Sequence, residues 1–203
     1  FDFINGFHDT ATSVATSIST RALAPKTAIL MAAVLNTAGA LTSSKVAQTV
    51  SQGIFKDEMI KDAGGDKGIM FVIIASLASA IVWNLVTWYF GIPSSSSHAL
   101  FGGMIGSSVA YLGTMDVLQA EGIFYKVLIP LFTSPVIGLV LGFLVMKFLY
   151  FALRRLTPHL VNTLFSKLQI VSAAFMAFAH GGNDAQKSMG IITIALIAAD
   201  MNG

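Results

Sequence analysis

No charged residue interrupts the run from Gly68 to Phe90. That run meets the ~20 apolar residues a bilayer core demands, and inside a bilayer a lone segment can satisfy its backbone only as a helix. Trp83, Trp88 and Tyr89 gather toward one end, where amphipathic rings suit a membrane–water interface. Val127 to Met146 is equally free of charge and continues past Lys147 into Phe148–Phe151, which implies a tilted helix or a snorkelling lysine. The whole chain agrees: 203 residues, 55% hydrophobic and 11% charged, with a mean hydropathy of +0.75, far more apolar than a soluble domain. The fold class that follows is all-α, a polytopic transmembrane helical bundle with the lipid bilayer as its surroundings. A net charge of +2, with its charges clustered in loops, gives no reason to expect nucleic acid as a partner. Cysteine is absent, which excludes disulfides, thiolate chemistry and Cys-type zinc sites.

Weaker crossings complete the picture. Phe1 to Thr20 reads as the remnant of a first span, because the chain enters polar sequence too soon for a complete one; the sequence is expected to be a fragment cut at both ends. Lys26 to about Val50 is apolar only in its first half, and Ser94 to Leu112 is rich in Gly and Ser. Arg21 and Lys26 border one short loop and Arg154, Arg155 and Lys167 another. Both are therefore assigned to the cytoplasmic side. The loops around Lys56–Lys67 and Asp116–Lys126 balance slightly negative and are assigned outward. The domain reading is a first transmembrane repeat over residues 1–153, a cytoplasmic linker over 154–167 and the start of a second, truncated repeat over 168–203.

Two polar stretches share a pattern. Phe3-Ile4-Asn5-Gly6-Phe7-His8-Asp9-Thr10-Ala11-Thr12-Ser13 and Phe178-Ala179-His180-Gly181-Gly182-Asn183-Asp184-Ala185-Gln186-Lys187-Ser188 carry Phe, Gly, Asp and Ser at the same offsets. A carboxylate within an apolar segment costs several kcal/mol, ~3 on insertion scales, unless paired, protonated or hydrated. An isolated Asp is often a helix cap; two matched copies suggest a site made of two halves. If Ser94 to Leu112 is one crossing, an odd number of crossings separates the copies, so they run through the membrane in opposite senses, an inverted repeat. The second copy lies between apolar pieces Leu168–Ala179 and Met189–Ala199, each ~18 Å as helix, so the helix is expected to break there. Such breaks expose carbonyls and a carboxylate to Na⁺ or H⁺, and half-helix N-termini to anions.

Pro93-Ser94-Ser95-Ser96-Ser97-His98 opens a further apolar run. Proline at a helix start followed by four hydroxyls concentrates donors at one helix N-terminus, an anion cradle suited to a tetrahedral oxyanion. The alternative is close packing of small residues between helices. His8, His98 and His180 are readable as proton carriers or metal ligands, but the sequence is read as holding no His-x-x-x-His or carboxylate–histidine helix pair, and no structural metal is expected. Lys187 reads as neutralising substrate or aspartate, as a salt-bridge partner or as a snorkelling residue. Asn84, inside the cleanest span, reads as an interhelical hydrogen-bond partner.

Asn5-Gly6-Phe7-His8-Asp9-Thr10-Ala11 resembles the first signature of the PiT-type inorganic phosphate transporters, a family that includes bacterial low-affinity transporters and sodium–phosphate symporters. His180-Gly181-Gly182-Asn183-Asp184-Ala185-Gln186-Lys187 resembles the second signature, and Pro93–His98 the family's Pro-x-Ser-(Ser/Thr)-(Ser/Thr)-His element. The resemblance implies a secondary transporter of inverted repeats and discontinuous helices, working by alternating access in a cell membrane, the bacterial inner membrane being the expected one. Phosphate, free or as a metal–phosphate complex, would be bound by Asp9, Thr10, Ser94, Ser95, Ser96, Ser97, Asn183 and Asp184. A coupling cation, H⁺ or Na⁺, would be held by Asn5, His8, Asp9 and Asp184. No cofactor beyond that cation is implied, and a homodimer is an expected assembly. His8, opposite Asn183 in the second copy, resembles the bacterial branch associated with proton or metal–phosphate coupling. The family's second Pro-Ser-Thr-type element would lie beyond Gly203.

Three rival functions are weighed beside this one. A hydrolase would need Ser97, His98 and Asp9 in a catalytic geometry that adjacent Ser and His on a helix seldom reach. A channel would suit broken helices equally and differs by lacking gradient-coupled, saturable flux. Another oxyanion such as sulfate would fit the cradle, but only protonated phosphate donates hydrogen bonds to an aspartate.

Overall fold

The computed structural model describes residues 1–42, 57–118 and 120–200, and the regular elements among them are helices. In chain order they are α1 (Asp2–Ser19), α2 (Pro25–Ala40), α3 (Asp57–Phe90), α4 (Ser96–Leu112), the short α5 (Ala120–Ile123), a π-helical turn (Phe124–Leu128), α6 (Ile129–Leu153) and α7 (Pro158–Asp200). Among the described residues, three stretches are long and apolar enough to cross a membrane, Lys67–Phe90, Ile129–Leu153 and Pro158–Leu196, so the chain is a multi-pass membrane protein. The end of the Lys26–Val50 stretch and the loop residue Lys56 lie outside the described residues.

α3 and α4 form a hairpin. Gly91 takes a positive φ of 65°, and the helix closes on it through Gly91 N–H to Trp88 O (3.1 Å) and Ile92 N–H to Thr87 O (2.8 Å), the paired C-terminal bonds that glycine permits. The register is antiparallel: Gly68 lies against Tyr111 and Gly103 against the Ser76 backbone, while Ser76 and Ser107 hydroxyls meet at 2.7 Å and those of Thr87 and Ser94 at 2.9 Å. Ile69, Val72, Ile73, Leu100 and Met104 bury their side chains along this seam, joined by Ile191 and Ile194 of α7. Asn84 is buried, yet its Nδ2 finds no partner among the described residues; the interhelical bond expected of it is not formed there.

α1 and α7 also cross antiparallel. Ser188 Oγ donates to Asp2 Oδ1 (2.5 Å), Asn5 Nδ2 to Asp184 Oδ2 (3.3 Å), and Thr20 Oγ1 to Gln169 Oε1 (3.0 Å), so residue numbers fall on one helix as they rise on the other. The opposite senses expected from charge parity are therefore seen directly. The Thr20–Gln169 contact also places the Arg21–Lys26 loop near the end of α7 that follows Arg154 and Arg155, as their common side requires.

One expectation is overturned. α7 is a continuous 43-residue helix, not two pieces broken at Gly181–Asp184. The two glycines serve packing instead of a turn. A Cβ on Gly181 would strike the Asn36 carbonyl, and one on Gly39 would strike the Phe178 carbonyl and come within 2.9 Å of the Gly182 nitrogen. Bare backbone lets α2 and α7 nearly touch, the small-residue contact by which membrane helices gain dispersion energy. Helix discontinuities do occur elsewhere among the described residues, at the kink of Gly65 within α3 (φ 62°) and at Gly91–Ser95 between α3 and α4.

α6 stands apart, with no buried residue; Phe132, Leu139, Phe143, Met146 and Phe148 are all more than 60% exposed.

A candidate ion and anion site at the crossing of the two motifs

The antiparallel crossing brings the motif copies face to face. In the first copy Asn5 and Asp9 stand one helical turn apart, and in the second His180 and Asp184 do the same, so each pair shares a helix face. Asn5 reaches Asp184 as described, and the reciprocal approach is made by His180 toward Asp9: oxygens of Asp9 and Asp184 and a ring nitrogen of His180 all lie within 4.8 Å of one another. Each copy thus offers the residue at one offset to the aspartate of the other.

His180 is held on both sides. Its Nδ1 donates to Asn36 Oδ1 of α2 (2.7 Å), since an amide oxygen only accepts, and its Nε2 lies 2.9 Å from Asp184 Oδ2. The carboxylate–histidine helix pair that the sequence reading held to be absent is therefore present as His180 and Asp184. The unbroken helix creates it, by placing residues four apart on one face. Lys187, one turn further, pairs with Asp184 Oδ1 and is itself buried. Asn5 is 2% exposed and its Oδ1 has no hydrogen-bond donor among the described residues, leaving a buried acceptor at the cluster.

The serine element is divided between two places. Ser96 is buried, and its hydroxyl donates to Asp9 Oδ2 at 3.1 Å; this is the bond that joins the α4 N-terminus to the paired aspartates. Ser94 is occupied by Thr87, Ser95 caps α4, and both line a separate cleft with Trp83 and His98. Ser97 is half-buried with no recorded bond to the cluster. Thr10 lines a larger cleft of about 1170 Å³ between α1, α2 and α7, shared with Asn5, Asn36, His180 and Asp184. Asn183 is exposed, its Nδ2 turned back to the Ala179 carbonyl (2.9 Å). The side chain of His8 lies outside the described residues. Sequence reasoning passed over Asn36, an amide side chain that follows the apolar run from Ala28 to Leu35 in α2; that position was the available signal.

Paired acids on antiparallel helices, joined to a hydroxyl at a helix N-terminus, define a multi-pass membrane protein with a charged and hydroxyl-bearing cluster between its helices. Residues 5–202 match the family described as "Phosphate transporter family", and the chain belongs to it. It is 46% identical over 202 residues to a "Probable low-affinity inorganic phosphate transporter" of Bacillus subtilis (strain 168), covering 100% of this chain and 58% of that protein. With the "Low-affinity inorganic phosphate transporter PitB" of Escherichia coli (strain K12) it shares 34% identity over 219 residues, 97% of this chain and 44% of that one. The chain thus spans about half the length of these relatives. "The sodium-dependent phosphate transporter", a solved structure, superposes with a TM-score of 0.86 at 22% identity, over 98% of this chain and 65% of that one, and shows the same fold. The family is one of transporters, not enzymes.

Proposed function

We propose that this chain forms part of a secondary transporter that moves inorganic phosphate by alternating access, coupled to H⁺ or Na⁺, in a bacterial cell membrane. The observation that carries the reading is the Ser96–Asp9 bond beside the Asn5–Asp184 and Asp9–His180 approaches. A hydroxyl and backbone donors at the α4 N-terminus suit a phosphate oxygen, while the carboxylates repel it until a cation sits between them. Cation occupancy therefore raises phosphate affinity, which is thermodynamic coupling. Thr10, Ser96 and Ser97 would supply hydroxyls to the anion, with Ser94 and Ser95 shaping the helix end that presents them; Asn183 would turn inward to join them, and Asn5, His8, Asp9 and Asp184 would serve the cation.

The Asp9–His180–Asp184 grouping favours one variant of this reading, in which phosphate travels as its complex with a divalent metal, since imidazole and carboxylates together suit such ions. A homodimer remains part of the proposal, with the exposed apolar surface of α6 in contact with lipid or a second copy.

The test is phosphate uptake by the full-length protein in proteoliposomes, with pH and sodium gradients varied independently. One gradient should drive concentrative uptake, and Asp9→Asn and Asp184→Asn should each abolish it. Undiminished coupled uptake in either variant would sink the proposal.

A further inference from the structure

The two motif copies are not chemically equal. Nine residues after its Phe, the second copy has Lys187 where the first has Thr12. Thr12 turns back on its own helix, donating to the Asp9 carbonyl at 2.7 Å, so the first copy supplies no ammonium at that offset. Lys187 instead lies one turn beyond Asp184 on the same face, 8% exposed, with Nζ on Asp184 Oδ1. The other oxygen of that carboxylate, Oδ2, faces Asn5 Nδ2 and His180 Nε2. Three nitrogens thus approach the Asp184 carboxylate, and its charge is balanced by a group that cannot leave.

We propose that Lys187 is a tethered counter-ion, occupying at Asp184 the place of a dissociable alkali cation and thereby setting how many such ions the protein binds. This deepens the transport reading and rests on it for its functional consequence. The lysine stem reaches from α7 itself, so the ammonium is delivered at high effective concentration. A free Na⁺ would have to displace it from a partly dehydrated pair, and removing one partner of such a pair leaves an uncompensated charge. Asp184 would then serve cation coupling through its bound ammonium, and an exchangeable alkali cation is accordingly directed toward Asn5, whose Oδ1 has no hydrogen-bond partner among the described residues. In a chain where position 187 is neutral, Asp184 regains a vacancy for Na⁺.

The experiment uses the full-length protein, as wild type, Lys187→Met, Lys187→Arg and Lys187→Met with Asp184→Asn. Thermal unfolding is followed in sodium chloride against choline chloride at constant ionic strength, and phosphate uptake is measured with and without a sodium gradient. Lys187→Met should gain a sodium-dependent rise in Tm, with half-saturation at a sodium concentration about tenfold below any wild-type response, because a ligand stabilises only the state that binds it. Lys187→Arg should behave as wild type, and the double variant should lose the gain. Uptake by Lys187→Met should become stimulated by sodium. Should Lys187→Met fail to assemble, Lys187→Gln carries the same expectations. An unchanged sodium response in the neutral variants, or a gain that survives Asp184→Asn, would overturn the proposal. Absence of phosphate uptake by the wild type would instead count against the transport reading, with the unfolding measurements still deciding the role of Lys187.

Discussion

Ser96 is the smallest feature on which the site depends. Its hydroxyl ties the start of α4 to Asp9, whereas Ser95, its neighbour, caps the helix. A hydrogen bond to a charged acceptor contributes about 1.5–3 kcal/mol, so Ser96→Ala should weaken phosphate binding about tenfold or more, read from the concentration dependence of uptake. Ser95→Ala should instead destabilise the protein by about 1 kcal/mol, the usual loss of a cap, with its effect appearing in thermal unfolding. At this scale the sequence was informative about types and poor about directions. Repetition singled out Asp9, Asp184 and the serines, because a buried acid repeated at one offset needs a reason. Which of four consecutive serines faces the acid depends on the phase at which α4 starts, fixed by the Gly91 turn and the Thr87–Ser94 contact, and these are tertiary facts.

Among the elements, α7 is where local sequence and tertiary structure disagree. Gly181-Gly182-Asn183-Asp184 looks like a break because glycine destabilises a helix interior by about 1 kcal/mol each. The α2 backbone packed against those glycines supplies contacts that offset it, and Asp184 finds two of its partners, His180 and Lys187, on its own helix. Gly181→Ala should therefore lower stability by about 1–3 kcal/mol, the range for overpacking, since the obstructing atom is the Asn36 carbonyl and a backbone cannot rotate away. Gly6, its counterpart in the first copy, has open space around it; Gly6→Ala should be neutral or stabilising by up to about 1 kcal/mol. Thermal unfolding of the purified protein separates the two. Composition and uninterrupted length sufficed to find α3 and α6, where a bilayer leaves the backbone no alternative. The glycine contact between α2 and α7 needs both helices in view, and no window along one of them contains it.

For the whole molecule, the antiparallel crossing of α1 and α7 makes a prediction about topology. The chain contains no cysteine, so introduced thiols report without interference. Asp2→Cys with Ser188→Cys, and Thr20→Cys with Gln169→Cys, should cross-link with a short thiol reagent, while Asp2→Cys with Gln169→Cys should not; electrophoretic mobility checks each pair. Counting positive charges in short loops was enough to anticipate these opposite senses, because loop charge responds to the membrane's sidedness and not to packing. The reciprocal approach of Asn5 to Asp184 and of His180 to Asp9 was not legible, since it depends on the depth at which the helices cross. That crossing gives the site nearly the same appearance from either face of the bilayer: an ion arriving from above or below meets a polar residue on one helix and an acid on the other, in the same order. On the transport reading proposed above, such a device would have no preferred direction of its own and would run whichever way the gradients push, and Lys187 is the mark by which its two ends can be told apart.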